Sequence, residues 1–335
     1  MIYLVFIVSK ALVYNRISGL LKLLLKRGAN VKLIKEDFLL NYHISGDDLI
    51  KNKIDWSTLN NIYLDFKKYR HRYETQADYI ADTLRTHGKI HSVKSRVKDP
   101  VHLIVKIIRK TSDRKAKHGE DFQFNVLNYK EEVTDLIGVR AIHIFKEDWE
   151  DIHNYITSTW KVVEITANVR EGDDTQRFEE LNIQIQSRKS GYRSVHYLIE
   201  FFPTNQKVIA EIQVRTIFEE GYGEIDHQLR YSHDQIPEVL ALNLLLLNRI
   251  VGSSDEMASF INLLNRSWTQ MEGKYERIID YKNKQIEELK NRIEKTTTIE
   301  DKEKHEILSS LDNIIMKHDL ANLTENLIKP LKKSP

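Results

Sequence analysis

Two strand-forming runs in tandem constrain this chain most: Val195 to Phe202 and Val208 to Thr216, separated by Pro203-Thr204-Asn205-Gln206. Both are rich in Val, Ile, Tyr and Phe, which fit a pleated, half-buried surface, and Pro and Asn stand where a hairpin must reverse. Strand side chains repeat every two residues, so Ala210, Ile212 and Val214 share one face while Glu211, Gln213 and Arg215 share the other. An acid, an amide and a guanidinium in a row read either as the floor of a site or as the solvated face of an antiparallel sheet. A polar, glycine-bearing turn, Arg188-Lys189-Ser190-Gly191-Tyr192-Arg193-Ser194, leads into the hairpin, and the informative stretch runs from Leu181 to Tyr231.

The surroundings are those of a globular protein. With 335 residues and 41% hydrophobic content the chain can bury a sizeable core, and its length suggests roughly two to three domains. Lys and Arg total 51 against 49 acids, a net charge of +2 that argues against binding polyanions by bulk attraction. The absence of cysteine excludes a disulfide framework and thiolate chemistry, and fits a cytoplasmic protein. The apolar run Ile2 to Val8 is broken by Lys10 and falls far short of the roughly 18 residues a membrane span needs; it also lacks the charged start and cleavage site of a signal peptide. No membrane association is expected.

Residues 1–54 read as an N-terminal extension of unassigned function, ending in the polar stretch Ser45 to Lys53. Gly19 to Asn30 resembles the second helix and turn of an ankyrin repeat, but no second copy follows and a lone repeat cannot bury its own face. From Thr58 to His87 the apolar positions fall at helical spacing, with Gly88 as a stop. Asp99 and Pro100 then suit the N-cap and first position of another helix, placing Arg96 and Lys98 just before a helix N-terminus and Lys106 early within it. Residues 112–130 read as a mobile polar connection, and most of the basic run Arg109 to Lys117 as a solvated face.

Asp135 precedes Leu136-Ile137-Gly138-Val139-Arg140-Ala141-Ile142-His143, a turn and a buried strand. A carboxylate at a strand entry with Arg140 projecting nearby suits Mg²⁺ beside a nucleotide, with a surface ion pair as the plainer alternative. A short helix around Trp149 to Ile156 and a strand from Trp160 to Val169 follow. The order helix, helix, strand, helix, four strands, helix implies an α+β mixed sheet with helices packed on it.

Beyond 235 the chain reads as helical. Leu240 to Leu247 is too apolar for exposure, and Ser253 with Glu256 forms a capping box that should open a new helix. Met257, Ile261, Leu264, Trp268, Met271, Tyr275 and Ile278 then make a coiled-coil-like seam of about three heptads. The remainder suits either a partner chain or a fold-back hairpin.

Three motifs line up in order: Arg96-Val97-Lys98 with its helix; Asp135 to Arg140; and Gly191-Tyr192-Arg193-Ser194-Val195-His196 followed by Glu211 to Thr216 and Glu224-Ile225-Asp226-His227. Together, over roughly residues 55–235, they resemble the synthetase domain of RelA/SpoT-type alarmone synthetases, which have a nucleotidyltransferase-like fold. The resemblance implies transfer of the β,γ-diphosphate of ATP to the ribose 3′-hydroxyl of GDP or GTP, releasing AMP. It implies that Arg96 and Arg140 sandwich adenine, that Lys98 and Lys106 hold the ATP phosphates, and that Asp135 binds Mg²⁺. It further implies that Glu211 activates the 3′-hydroxyl and shares the metal. Tyr192 would stack on the acceptor base with Arg188 or Lys189 on its phosphates, and Ser194, His196, Gln213 and His227 would line the acceptor side.

The chemistry agrees, because phosphoryl transfer rests on positioning and on cations around developing charge. Where the family's glycine turn usually has Lys four residues before the Tyr, this chain has Arg188, and Tyr222 stands where a Trp commonly precedes the acidic-His motif. His233-Asp234 and His318-Asp319 lack the partner histidines of a hydrolase metal site, so a synthetase-only enzyme is expected. A second reading keeps the chemistry but makes the 3′-CCA end of tRNA the acceptor, with Arg109 to Lys117 on the RNA backbone and an antitoxin as partner. A third is a non-catalytic nucleotide-binding or assembly protein that forms homo-oligomers through residues 236–335.

Overall fold

The computed structural model describes residues 32–202, 207–232, 236–298 and 300–314. The ankyrin-like stretch, the apolar opening run, the turn at 203–206, both His-Asp pairs and the last residues of the tail lie outside them. The chain divides into two compact units, Met1–Asp255 and Glu256–Pro335.

The first unit is built on a six-stranded mixed sheet in the order β1-β2-β6-β5-β3-β4, made of Ser92–Val97 (β1), Ile137–His143 (β2), Lys161–Val169 (β3), Gln184–Ser187 (β4), Ser194–Phe201 (β5) and Val208–Thr216 (β6). β2 and β6 are parallel, as are β3 and β4; the other neighbours are antiparallel. The expected hairpin is present, with Tyr197 opposite Ile212 and His196 opposite Gln213.

Strand alternation divides the sheet. Val139 and Ala141 of β2, Tyr197 and Ile199 of β5, and Ala210, Ile212 and Val214 of β6 are all at most 1% exposed and belong to one core. The helix Trp56–Arg85 packs on β1 and β2 and supplies Leu59, Ile62, Phe66, Ile80 and Leu84 to that core. Asp55 caps it, accepting from the Thr58 amide at 2.9 Å. The helix Pro100–His118 packs against it and adds Leu103, Ile104 and Ile107. Its cap is as expected, Asp99 accepting from Val101 at 2.8 Å. Phe38 and Leu49, on the short helices Lys35–Asn41 and Gly46–Lys51, join the same core, so described residues of the N-terminal stretch are part of this unit.

Four expectations need correction. β1 was not anticipated: Lys94 and Arg96 dominate its outer face, a composition an edge strand tolerates because its free side meets water. Residues 112–130 are not a loose connection, since the helix continues to His118 and both Phe124 and Tyr129 are buried. Glu238–Lys295 is one continuous helix; no proline interrupts it, and the Ser253–Glu256 box lies inside it rather than at a start. The Leu run is amphipathic, with Leu244 at 5% exposure but Leu242 at 60% and Leu246 at 56%. In the second unit Met257 to Ile278 of the seam are exposed, and the helix Asp301–Ile314 folds back so that Asp312 meets Lys290 and Lys304 meets the Glu294 carbonyl.

Candidate active site

The face of the sheet opposite the core carries the polar groups. On β1, β2 and β6 the backbone register sets Arg96 opposite Gly138, which lies opposite Glu211, and sets Lys94 opposite Arg140, which lies opposite Gln213. His196 of β5 continues the second row. Residues far apart in sequence are therefore aligned by strand pairing alone.

At one end of this face Asp135, just before β2, meets two lysines. Lys98, just after β1, lies 2.7 Å and Lys106, two turns into the following helix, 2.8 Å from the same oxygen, Oδ2. Burial would push the Asp135 carboxyl up, but the charges of Lys106 and Lys98 outweigh it and hold it below the ordinary carboxylate range. Its other oxygen, Oδ1, is buried with no hydrogen-bond partner.

Beside it, five side chains close a ring. His196 Nδ1 lies 3.1 Å from Glu211 Oε1, and His196 Nε2 lies 3.1 Å from the Tyr192 hydroxyl. Arg215 donates to the Tyr192 hydroxyl at 2.6 Å and also to Gln213 Oε1. Gln213 in turn donates to Glu211 Oε2 at 2.6 Å. Glu211 is an acceptor as a carboxylate, so His196 donates to it from Nδ1. Burial pushes the Glu211 carboxyl up and Asp135 adds to that, but the hydrogen bond and charge of His196 together with the Gln213 amide bring it below its usual range. Arg215, on the face that reads either as a site floor or as solvated surface, is 2% exposed.

Around the ring, Arg215 covers the Tyr192 ring at 5.1 Å and pairs with Glu220 at 3.1 Å. Glu220 also holds Lys94 at 3.0 Å and Arg140 at 3.2 Å, and Glu224 holds Arg140 as well. Arg140 is thus fixed by two carboxylates of the helix Ile217–Ser232. Arg96 is accommodated by Gly138, where an added Cβ would lie 3.3 Å from its Nε. His227 is exposed, within electrostatic reach of Glu224, Arg96 and Arg140.

In the glycine turn the two adjacent cations are held differently. Arg188 Nε donates to Asn168 Oδ1 of β3 at 2.6 Å, whereas Lys189 is exposed. Ser194 is buried and its hydroxyl donates to the Val214 carbonyl at 3.1 Å, tying β5 to β6. Gly191 has φ +75, a left-handed conformation that favours glycine. Sequence reasoning missed Glu220 as an anchor, although its i, i+4 spacing to Glu224 puts both on one helix face. It also missed Asn168, which no local pattern marks.

The donor set fits Mg²⁺. Among the described residues no three His, Asp or Glu side chains form a cage for a metal. Mg²⁺ is ordinarily held by one or two carboxylates together with substrate phosphates, and the buried, partnerless Oδ1 of Asp135 with the nearby Glu211 offers that set.

Residues 95–236 match the model of a region found in RelA / SpoT proteins. No match was found among curated proteins. Among solved structures, small alarmone synthetase 1 from Bacillus subtilis is similar at 20% identity over 60% of this chain and 98% of its own, with a TM-score of 0.47. A GTP pyrophosphokinase family protein from Streptococcus pneumoniae is similar at 20% identity over 59% and 93%, with a TM-score of 0.45. Small alarmone synthetase 2 from Bacillus subtilis is similar at 24% identity over 60% and 97%, with a TM-score of 0.42.

Proposed function

We propose that this chain, which is a RelA/SpoT-type protein over residues 95–236, is a pyrophosphokinase that moves the β,γ-diphosphate of ATP to the ribose 3′-hydroxyl of GDP or GTP and releases AMP. The observation that carries the reading is the juxtaposition of the Asp135–Lys98–Lys106 cluster with the closed ring around Glu211 on one sheet face. Each part has a place in the chemistry.

Arg96 and Arg140 offer planar cations for the two faces of adenine, Arg140 pre-set by Glu220 and Glu224. Lys98 and Lys106 exchange Asp135 for the incoming phosphates, with Asp135 left to hold Mg²⁺ jointly with Glu211. When bound, the ion neutralises charge on the transferring diphosphate and its leaving group. Tyr192, covered by Arg215 on its ring and half-buried, stacks on the guanine, and exposed Lys189 reaches the acceptor phosphates. Glu211, ionised at neutral pH, accepts the proton of the 3′-hydroxyl; its low basicity makes orientation by His196 and Gln213 the larger part of its contribution.

The nucleotide acceptor is preferred to a tRNA end because three of the five cations in the basic run are paired or buried: Lys110 pairs with Asp113 at 2.7 Å, Arg114 with Glu132 at 2.9 Å, and Lys115 is 6% exposed. Purified protein with Mg²⁺, labelled ATP and either GDP, GTP or total tRNA tests this. Label in a guanine nucleotide with matching AMP is the expected result; label in RNA selects the other acceptor, and no AMP with any acceptor removes the enzyme reading.

A further inference from the structure

We propose that Asn248, on the helix Glu238–Lys295, is a positioning residue for the acceptor clamp, acting through the backbone of the glycine turn. This rests on the reading above, in which Tyr192 stacks on the acceptor base. Asn248 lies 57 residues beyond Gly191, within the first unit and directly after the leucine run Leu240 to Leu247. It is nonetheless a polar side chain at 0% exposure, and its Nδ2 donates to the Gly191 carbonyl at 2.8 Å. The Nδ2 bond offsets part of the cost of burying this amide, whose Oδ1 has no hydrogen-bond partner.

The fit is reciprocal. A Cβ at Gly191 would lie 2.7 Å from the Asn248 side chain, so glycine is required there by space as well as by its φ of +75. One helical turn later, Gly252 is also tight, though less so: a Cβ there would lie 3.1 Å from Arg193 Nη2, and Arg193 is locked to Asp173 by bonds of 2.6 and 3.0 Å. On the other side Tyr222 donates its hydroxyl to the Ser190 carbonyl. Residues 190, 191 and 193 are therefore each held by a different element, and Tyr192 is the residue they flank. Its hydroxyl is fixed by Arg215 and His196, so the height of its ring above the sheet is set by the turn. Moving the Gly191 carbonyl moves the clamp and leaves the Lys98–Lys106–Asp135 cluster untouched.

The test is steady-state kinetics on the full chain, varying guanine nucleotide at saturating ATP and then the reverse. Asn248→Asp keeps the side chain's volume and replaces the donor with an oxygen; Asn248→Ala removes both. Each is expected to raise the KM for guanine nucleotide about tenfold, the worth of one oriented hydrogen bond, while the KM for ATP stays within about twofold. Tyr192→Ala serves as the reference for a lost clamp. If Tyr192→Ala loses the acceptor but both Asn248 variants keep it, this inference alone fails. If Asn248→Asp behaves as wild type while Asn248→Ala does not, the hydrogen bond is not the agent and the inference also fails. If both KM values rise together with a fall in Tm, Asn248 is merely structural, and a wild type without activity overturns the functional reading along with it.

Discussion

His196 Nδ1 stands 3.1 Å from Glu211 Oε1, although the two residues are not opposite each other in the sheet: His196 is level with Gln213 and Glu211 with Leu198. They are diagonal neighbours on adjacent antiparallel strands, a separation that long side chains can bridge. The contact lowers the carboxyl of Glu211 against the upward push of burial, and so keeps it ionised. Replacing His196 by Ala should raise that pKa, so the acid limb of the pH–rate profile should move to higher pH, with a larger loss of rate near pH 5 than at pH 8. An unshifted limb would show that His196 does not control this group. Glu211→Gln should lower kcat by about 10²–10⁴, the usual range for a positioned acid or base, while circular dichroism remains that of the wild type.

Glu220 and Glu224 both bind Arg140, but their burial differs. The Glu220 side chain is 7% exposed and also neutralises Arg215, itself 2% exposed, whereas the Glu224 side chain is 40% exposed. Removing one partner of a buried pair strands the other charge. Glu220→Ala should therefore cost about 3–5 kcal/mol and Glu224→Ala under about 1 kcal/mol, as read from urea unfolding. Equal losses would contradict the assignment.

Arg188 and Lys189 are adjacent cations with different duties. Lys189→Ala should raise the KM for GDP or GTP several-fold and leave Tm unchanged. Arg188→Ala removes the 2.6 Å bond to Asn168 and should lower stability by about 1–3 kcal/mol. Thermal melts beside the kinetics separate the two effects.

Asp255 supplies a pH signature of the opposite sign to Glu211. It is 1% exposed, and burial, reinforced by the charge of Glu219, pushes its carboxyl up to about 7. The folded state thus binds a proton more tightly than the unfolded chain, whose Asp titrates near 4. Stability from this group is full below about pH 4 and declines as pH rises towards 7. Asp255→Asn should raise Tm at pH 8, by the equivalent of up to about 4 kcal/mol, and flatten the dependence in that window. A lower Tm at pH 8 would refute it.

The hairpin and its two faces were legible because period two is written plainly in Val208 to Thr216, and the helix Trp56–Arg85 because its apolar stripe is unbroken. Asp135, Lys98 and Glu211 could be named from motif order, but their assembly depends on Gly138 lying opposite both Arg96 and Glu211, a register no local pattern specifies. β1 escaped notice since its charged residues resemble a loop, and the continuity of Glu238–Lys295 since Ser253 and Glu256 imitate a start. The burial of Arg215 stays open in the sequence because alternation gives a side, not a degree of burial; the cover comes from Glu220 and Tyr192. Asn248 carries no signal at all, as its partner is 57 residues away.

The central claim is that a diphosphate, not a single phosphate, is transferred. ATP labelled at the β-phosphate in one sample and at the γ-phosphate in another, incubated with the protein, Mg²⁺ and GTP, tests it most directly. Both labels should appear in the guanine nucleotide in equal amount, with one AMP formed per product. Transfer of the γ label alone, with ADP released, would contradict it.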